Sequence, residues 1–231
     1  MKEFTKVVQK NLAITQNKTL KDSLHEALKK TIVLGDIPAG TRINEKELSE
    51  SLNISRTPIR HALEKLEEEQ LVERIYGSGV IVTGITMKDA IEIFDIRKSL
   101  DTLATTKAAE NMTEEDFRDL EELLLEANEL YKNKETIKLT ENFRDFNHFI
   151  YEKCEMKRLT SIILDLKEYT DYFRIISIYS EERAGPALKG HWDIYYAMRK
   201  KDWKNLEIIV HNHLEDSVEF ILKEMEDREI V

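Results

Sequence analysis

The sequence contains few of the residues that cross-link a chain, interrupt helices or cross a membrane. Its 231 residues include one cysteine, three prolines and seven glycines. A single cysteine excludes an internal disulfide and favours a reducing compartment, so we expect Cys154 to pack in a helical core. The longest apolar runs are far shorter than a bilayer span, and the N-terminus lacks the unbroken apolar stretch of a signal peptide. We therefore expect no membrane partner and a cytoplasmic location.

Glycine and proline are concentrated near the start of the chain. Five of the seven glycines and two of the three prolines precede residue 85, and 85–184 contains neither. Apolar residues in that stretch recur with the 3.6-residue helical period, which predicts helical hairpins. We place a domain boundary at Thr83–Gly84. This divides the chain into an N-terminal extension (1–18, an extra helix or a loose arm), a first domain (19–84) and an all-helical second domain (85–231).

The acidic residues are unevenly distributed between these parts. The net charge is −10, yet residues 1–84 hold 13 basic and 12 acidic side chains, whereas the remainder holds 22 and 33. The acidity therefore belongs to the second domain. The first domain is nearly neutral and can present a basic face to a polyanion, although the net charge alone argues against nucleic acid.

Capping residues predict three short helices in the first domain. Thr19 caps the helix of "TLKDSLHEALKKTIVLG", which Gly35 ends, and "DIPAGTRI" then forms a turn. Asn44 caps "EKELSESL", and Asn53 suits the left-handed residue that ends this helix. Ser55 caps the third helix, which tolerates Pro58 in its first turn because those amides lack partners within the helix.

A glycine-hinged pair of strands follows the third helix. "LVERIY", "GSG" and "VIVTG" predict two short strands around a turn. Two helices joined tightly and followed by such a β-wing form a winged helix-turn-helix, whose recognition helix enters the DNA major groove. Arg56, Thr57 and Arg60 lie off the apolar stripe of that helix and can reach bases or phosphates. In the alternative, Arg56 and Arg60 are ordinary solvated charges paired with Glu64 or Glu67.

The segment "IPAGTRINEKELSESLNISRTPIRHALEKLEEEQLVERIYGSGVIV" resembles the DNA-binding half of the GntR family of bacterial transcription regulators. The resemblance implies a homodimer bound to a double-stranded DNA operator. It assigns DNA contacts to Lys46, Ser55, Arg56, Thr57 and Arg60, with Gly77 and Gly79 shaping the wing. Two positions depart from the family pattern. Gln70 stands where glycine is usual, and His61 replaces the usual glutamate.

The second domain resembles the all-helical effector domain of the FCD branch of that family. "IFDIRKSLDTLATTKAAENMTEEDFRDLEELL" matches its opening helices, including Arg97, and "HWDIYYAMRKKDWKNLEIIVHNH" matches its closing pair from His191 to His213. The branch implies a pocket for a small organic-acid effector above a divalent metal. An aspartate and a third histidine from an earlier helix complete that metal site. Two further histidines, His25 and His211, are expected at the surface.

The earlier helix departs from the metal-binding pattern of the branch. Phe143 and Asn147 occupy the aspartate and histidine positions, and neither suits zinc, nickel or manganese. We therefore predict no firmly bound cofactor and a metal held at most weakly by His191 and His213. In the alternative, Asp145 and His148 turn inward and complete the site. The predicted effector-binding residues are Arg97, Asn147, His191 and His213.

Two functions from different classes remain. One is a ligand-responsive transcription regulator, and the other is a metal-dependent hydrolase that uses the histidine cluster with Asp145. The sequence has no nucleophile motif, glycine-rich phosphate loop or dependable ligand set. We therefore predict a regulator of mainly α-helical fold, with a winged helix-turn-helix and a C-terminal helical bundle, and no enzyme.

Overall fold

The computed structural model describes residues 3–14, 19–76, 79–177 and 181–230. The chain forms two compact units, which we call the first unit (Met1–Met87 with Met225–Val231) and the second unit (Lys88–Glu224). The mainly helical fold class predicted from the sequence is confirmed. Among the described residues, no helix is long and apolar enough to span a membrane.

The first unit consists of short helices and a small sheet. Its elements are α1 (Glu3–Ile14), α2 (Leu20–Val33), β1 (Arg42–Ile43), α3 (Glu45–Leu52), α4 (Arg56–Glu68), β2 (Val72–Ile75) and β3 (Gly79–Val82). The predicted caps form as expected for two helices. The Thr19 side chain accepts a hydrogen bond from the amide of Asp22, and the Asn44 side chain accepts from two α3 amides. Asn53 ends α3 with φ of 54°.

The sheet contains one strand more than the sequence predicted. The antiparallel strand order is β1-β3-β2, with Arg42 opposite Ile81 and Val72 opposite Val82. From the sequence, Arg42 and Ile43 are predicted to form part of a turn. They form a strand because β3 offers a free edge to them, and pairing with a strand so distant in sequence leaves no local signal.

The N-terminal extension contains a helix that packs on the first unit. Thr5 and Val8 of α1 are buried. The Gln9 side chain donates a hydrogen bond to the carbonyl of Ser51 at 3.1 Å, and the Asn11 side chain donates to the Thr31 hydroxyl at 3.0 Å. Of the two possibilities left by the sequence, the extra helix is the one present.

His25 is buried in the first unit, so its predicted surface position was wrong. Its Nε2 lies 2.9 Å from Glu69 Oε1, and Lys29 Nζ lies 3.3 Å from Glu69 Oε2. Burial raises the pKa of Glu69, but the adjacent His25 imidazole and the charge of Lys29 outweigh it and hold that pKa below its ordinary value. Glu69 is the C-cap of α4. These contacts therefore fasten α2 to the end of α4.

Residues 225–230 belong to the first unit, whereas the sequence predicted that 85–231 lie entirely in the second domain. Arg228 Nη1 donates to the carbonyl oxygen of Leu34 at 3.4 Å. Ile230 packs so closely on Gly35 that an added Cβ would lie 3.1 Å from its Cγ1. These tertiary contacts give no periodic signal in the sequence.

The second unit is helical throughout its described residues. Its residues belong to α5 (Met87–Asn111), α6 (Glu114–Lys132), α7 (Thr136–Lys153), α8 (Lys157–Ser177), α9 (Glu181–Lys200) and α10 (Trp203–Asp227). The first residue of α5 and the last three of α10 are counted in the first unit. Leu130, Leu139, Phe143 and Leu188 pack together in one apolar cluster where α6, α7 and α9 meet. Cys154 is buried, and its thiol donates to the carbonyl oxygen of Tyr151. Its predicted packing role is confirmed.

Gln70, where the family pattern has glycine, provides a test of backbone strain. It follows α4 with φ of 60°, a conformation that costs a side-chain-bearing residue roughly 1–2 kcal/mol. Gln70→Gly should relieve this strain, although the greater entropy of glycine in the unfolded state offsets part of the gain. The local free energy of unfolding should therefore rise by about 0.5–1 kcal/mol. Hydrogen exchange of the α2 and α4 amides measures this change.

Gln70→Ala is the matched control because it shortens the side chain and keeps the strain. It should show no comparable gain. Equal protection factors in the glycine and alanine variants would contradict the assignment of strain to residue 70.

Candidate DNA-binding surface and effector pocket

The exposed face of α4 carries the residues that the sequence assigned to DNA contact. Ile59, Ala62, Leu63 and Leu66 are buried as predicted. Ser55, Arg56, Thr57 and Arg60 are exposed near the N-terminal end. Ser55 occupies the N-cap position, but its side chain makes no capping hydrogen bond. The first-turn amides and the Ser55 hydroxyl are therefore available to an anion such as a phosphate.

The two arginines of α4 differ in their surroundings. Arg60 Nη2 lies 3.4 Å from Glu45 Oε2 of α3. Arg56 makes no hydrogen bond or ion pair within the part of the chain that the structure describes. Neither arginine pairs with Glu64 or Glu67, which the solvated-charge alternative required. The partners predicted in that alternative are wrong, because Arg60 pairs with Glu45 of the preceding helix.

The remaining predicted DNA-binding residues lie on α3 and in the wing. Lys46 is 65% exposed and lies 3.9 Å from Glu50, a separation that holds it only loosely. Gly79 has φ of 90°, which favours glycine. An added Cβ at Gly79 would lie 3.6 Å from the Arg42 guanidinium. Gly77 lies outside the described residues.

The second unit contains a small internal cavity next to Arg97. The cavity has a volume of about 30 Å³ and is lined by Arg97, Asn147, Tyr151, Arg183 and His213, among others. Arg97 is buried, and its Nε donates to Asp101 Oδ2 at 3.1 Å. No other hydrogen bond joins Arg97 to the described residues. Within the described residues, the N–H donors of its Nη1 and Nη2 therefore have no acceptor.

Asp101 keeps the buried guanidinium charged. Burial alone lowers the pKa of Arg97, but the charge of Asp101 outweighs this effect, and the pKa is raised above its usual value. The second oxygen of Asp101 accepts a hydrogen bond from the Tyr151 hydroxyl. The Arg97 guanidinium also lies over the Phe94 ring at 5.2 Å. The side of the cavity at Arg97 therefore carries a buried arginine–carboxylate ion pair, since Asp101 lines it too.

His191 is fully buried and packs among rings. Its centroid is 4.7 Å from Phe143, 4.5 Å from Phe146 and 4.8 Å from His213. Phe143, which replaces the expected carboxylate, thus lies directly against the imidazole. Asn147 lines the cavity and donates its Nδ2 to the Phe143 carbonyl at 2.6 Å.

The residues present do not fit the metal site of the FCD branch. Asp145 and His148 are both exposed, so the alternative in which they turn inward does not hold. Their position follows from the periodicity of α7, which buries Phe143, Phe146 and Ile150 instead. Within the described residues, no three His, Cys, Asp or Glu side chains come together in a way that could hold a metal ion.

Two charged residues of the pocket were missed by the sequence analysis. Asp101 follows Arg97 by four residues, a spacing that places both on one helix face and could have revealed the pair. Arg183 is also buried, and its guanidinium lies 5.4 Å from the centre of the Phe220 ring. No local pattern around Arg183 distinguishes it from a surface arginine.

Both halves of the chain match known protein families. Residues 20–82 match the model of bacterial regulatory proteins of the gntR family, and residues 92–216 match the FCD domain. The chain therefore belongs to the GntR family of bacterial transcription regulators, in the branch that carries an FCD domain.

Relatives of similar length are named as transcriptional regulators. The Bacillus subtilis regulator YdhC is 29% identical over 211 residues, which cover 87% of this chain and 91% of YdhC. The Escherichia coli transcriptional repressor RspR is 27% identical and covers 86% of this chain and 87% of RspR. These relatives give the metal-dependent hydrolase hypothesis no support.

The solved structure of E. coli McbR/YncC shares the fold. It aligns with a TM-score of 0.62 at 20% identity, over 96% of this chain and 99% of that one. A structure of Lar, described as controlling the Listeria monocytogenes agr system, aligns with a TM-score of 0.65 at 16% identity, over 90% and 99% of the two chains.

Gly190 allows His213 to approach α9, and this contact is testable. An added Cβ at Gly190 would lie 2.5 Å from Nδ1 of His213. Gly190→Ala should therefore lower the free energy of unfolding of the second unit by about 1–3 kcal/mol, as other overpacked sites do. Urea unfolding followed by tryptophan fluorescence measures the change, since Trp192 and Trp203 both lie in this unit.

The His213→Ala background supplies the control. Without the imidazole, the helix propensity of alanine should make Gly190→Ala stabilising by up to about 1 kcal/mol. A loss of stability of the same size in both backgrounds would show that His213 is not the obstacle.

Proposed function

We propose that this protein is a ligand-responsive transcription regulator that binds operator DNA as a homodimer. Its effector is a small carboxylate held in the second unit. The observation that carries the proposal is the exposed basic end of α4 in a chain of the GntR family, where Arg56 and Arg60 stand one helical turn apart.

The DNA-binding part of the proposal rests on the surface of the first unit. A recognition helix reads bases with residues near its N-terminus. Arg56 and Arg60 suit the bidentate reading of guanine. Ser55, Thr57 and Lys46 suit phosphate contacts that fix the register of the helix on the duplex.

The homodimer follows from the small footprint of one helix. A single recognition helix covers only a few base pairs, and two related by symmetry double the readable sequence. Ile96 and Leu103 of α5 support a second copy as partner. They stand seven residues apart on one face of α5 and are 43% and 40% exposed.

The effector part rests on the buried charge of Arg97. Planar carboxylates accept two parallel hydrogen bonds from the two terminal nitrogens of a guanidinium. A cavity of about 30 Å³ has room for little more than water, so an organic acid must displace the surrounding helices as it binds. Such displacement provides differential binding to two conformations, which an effector needs.

The proposed pocket works without a firmly held metal. A divalent ion against His191 and His213 would meet the ring of Phe143 where the family pattern has a carboxylate. Its charge would remain uncompensated in a partly buried site, which is costly. Arg97 supplies the positive charge for an anion instead.

The role of α4 is tested on duplexes that the wild-type protein selects from a randomised library. The selected sites should contain an inverted repeat. Arg56→Ala or Arg60→Ala should weaken binding to these sites by about 1–3 kcal/mol if the arginine reads a guanine. Wild-type affinity should also fall steeply with salt, because phosphate contacts release counterions. Fluorescence anisotropy across a salt series measures both effects.

Lys65→Ala is the control, because Lys65 lies near the other end of α4 and pairs with Asp22. It should change affinity much less than either arginine variant. Selected duplexes bound equally well by both arginine variants and the wild type would contradict α4 as the recognition helix.

The pocket is tested with acetate, malonate, succinate and citrate as probes. At least one should raise the melting temperature of the protein, and its Kd should be unchanged after treatment with a chelator. Arg97→Lys keeps the charge but loses the paired donors, so it should weaken the binding of that probe about tenfold or more. Calorimetric titration and elemental analysis are the measurements.

Asp145→Asn is the matched control, since Asp145 is exposed on α7 and should not affect the Kd. One tightly held zinc, nickel or manganese ion per subunit, with carboxylate binding lost on chelation, would contradict the metal-independent pocket.

A further inference from the structure

A chain of ion pairs joins the wing to the recognition helix. Arg74 of β2 donates from Nε to Glu67 Oε2 at 3.4 Å and from Nη1 to Glu45 Oε1 at 3.2 Å. The other oxygen of Glu45 lies 3.4 Å from Arg60 Nη2. Glu45 therefore bridges an arginine of the wing and an arginine of α4, and each takes a different carboxylate oxygen.

Glu45 has the least exposed side chain of the four residues in this series of ion pairs. Its side chain is 22% exposed, compared with 58% for Arg60 and 40% for Arg74. It begins α3 directly after the Asn44 cap, and a carboxylate is favoured in the first turn of a helix. Arg74 thus holds one oxygen of the carboxylate, which presents Oε2 to Arg60.

Arg56 supplies the contrast on the same helix face. It is exposed and has no partner among the described residues. A free arginine loses its rotamer entropy when it binds, whereas an arginine already tethered loses less. Arg60 is therefore the arginine of α4 that is oriented before DNA arrives.

We propose that Glu45 is a positioning residue that determines sequence specificity through Arg60. This inference rests on the proposed function, in which Arg60 faces the bases. Glu45 takes one N–H of the guanidinium and leaves the others for the two acceptors of a guanine edge. Its negative charge also weakens the attraction of Arg60 to phosphates, which carry no sequence information.

Removing the charge of Glu45 should affect the two kinds of binding unequally. Glu45→Gln makes the surface more positive, so binding to arbitrary duplex should strengthen and depend more steeply on salt. Binding to the selected site should gain less, because Arg60 is no longer held. The ratio of the two affinities should therefore fall roughly five- to tenfold, the size expected when one base contact is relaxed.

The experiment measures this ratio with the full-length protein. The probes are a duplex selected by the wild type from a randomised library and a scrambled duplex of the same composition. Circular dichroism confirms that each variant is folded. Glu67→Gln is the matched control, because it removes one charge from the same ion-pair chain and contacts Arg74 but not Arg60. It should leave the ratio within about twofold of the wild type, as a charge change acting equally on both duplexes does.

An Arg60→Ala background separates positioning from a general structural role. If Glu45 acts through Arg60, Glu45→Gln should change the ratio in this background by less than about twofold, because coupled residues are non-additive. Repeating the selection with Glu45→Gln should relax the same base position that Arg60→Ala relaxes and leave the others unchanged.

The outcomes separate this inference from the function on which it rests. A ratio that stays constant in Glu45→Gln, falls equally in Glu67→Gln, or falls further in the Arg60→Ala background would overturn the role of Glu45 while leaving DNA binding in place. A wild type that enriches no sequence from the library would overturn both.

Discussion

The packing of α4 against α2 is the interaction on which the surface of the first unit depends. Leu24 of α2 and Leu63 of α4 are completely buried, and burial of this stripe fixes the rotation of α4 about its axis. Residues of α4 outside this buried apolar stripe, such as Arg60, are therefore exposed to solvent. The contact of Glu69 with Lys29 fastens the far end of the same helix. The packing of α4 on α2 therefore determines which residues of α4 form its basic surface.

Burial of Arg97 imposes a comparable constraint on the second unit. A guanidinium without a partner would be very costly inside a protein, and Asp101 with Tyr151 offsets that cost. Tyr151 belongs to α7 and Arg97 to α5, so these hydrogen bonds also connect two helices. The pairing with Asp101 uses only the Nε of the guanidinium, and the proposed effector would bind through the remaining donors. Phe143 and Phe146 surround His191 with apolar surface, where a metal would need charged ligands.

Features encoded within a few neighbouring residues were predictable from the sequence. The caps at Thr19 and Asn44 and the left-handed Asn53 all appear as expected, because each depends on local backbone geometry. The features that were missed depend on residues distant in sequence. His25 is buried because Glu69 approaches it from another helix, and Arg42 joins a strand because β3 lies alongside. The position of Phe143 beside His191 was accessible only through the family resemblance, since composition and periodicity mark Phe143 merely as core.

The two proposed sites use the same arrangement at different depths. In each, a carboxylate holds an arginine through part of its guanidinium and leaves the other donors for an incoming anion or base edge. Glu45 is 22% exposed and Asp101 only 9%, so water screens the first pair far more than the second. At the surface, the tether therefore contributes mainly geometry, which suits discrimination among bases that differ in hydrogen-bond pattern and carry no net charge. In the interior, the field of the guanidinium itself is strong, which suits selection of a ligand by its charge. The proposed roles, sequence reading for Arg60 and effector capture for Arg97, are in keeping with this difference in burial.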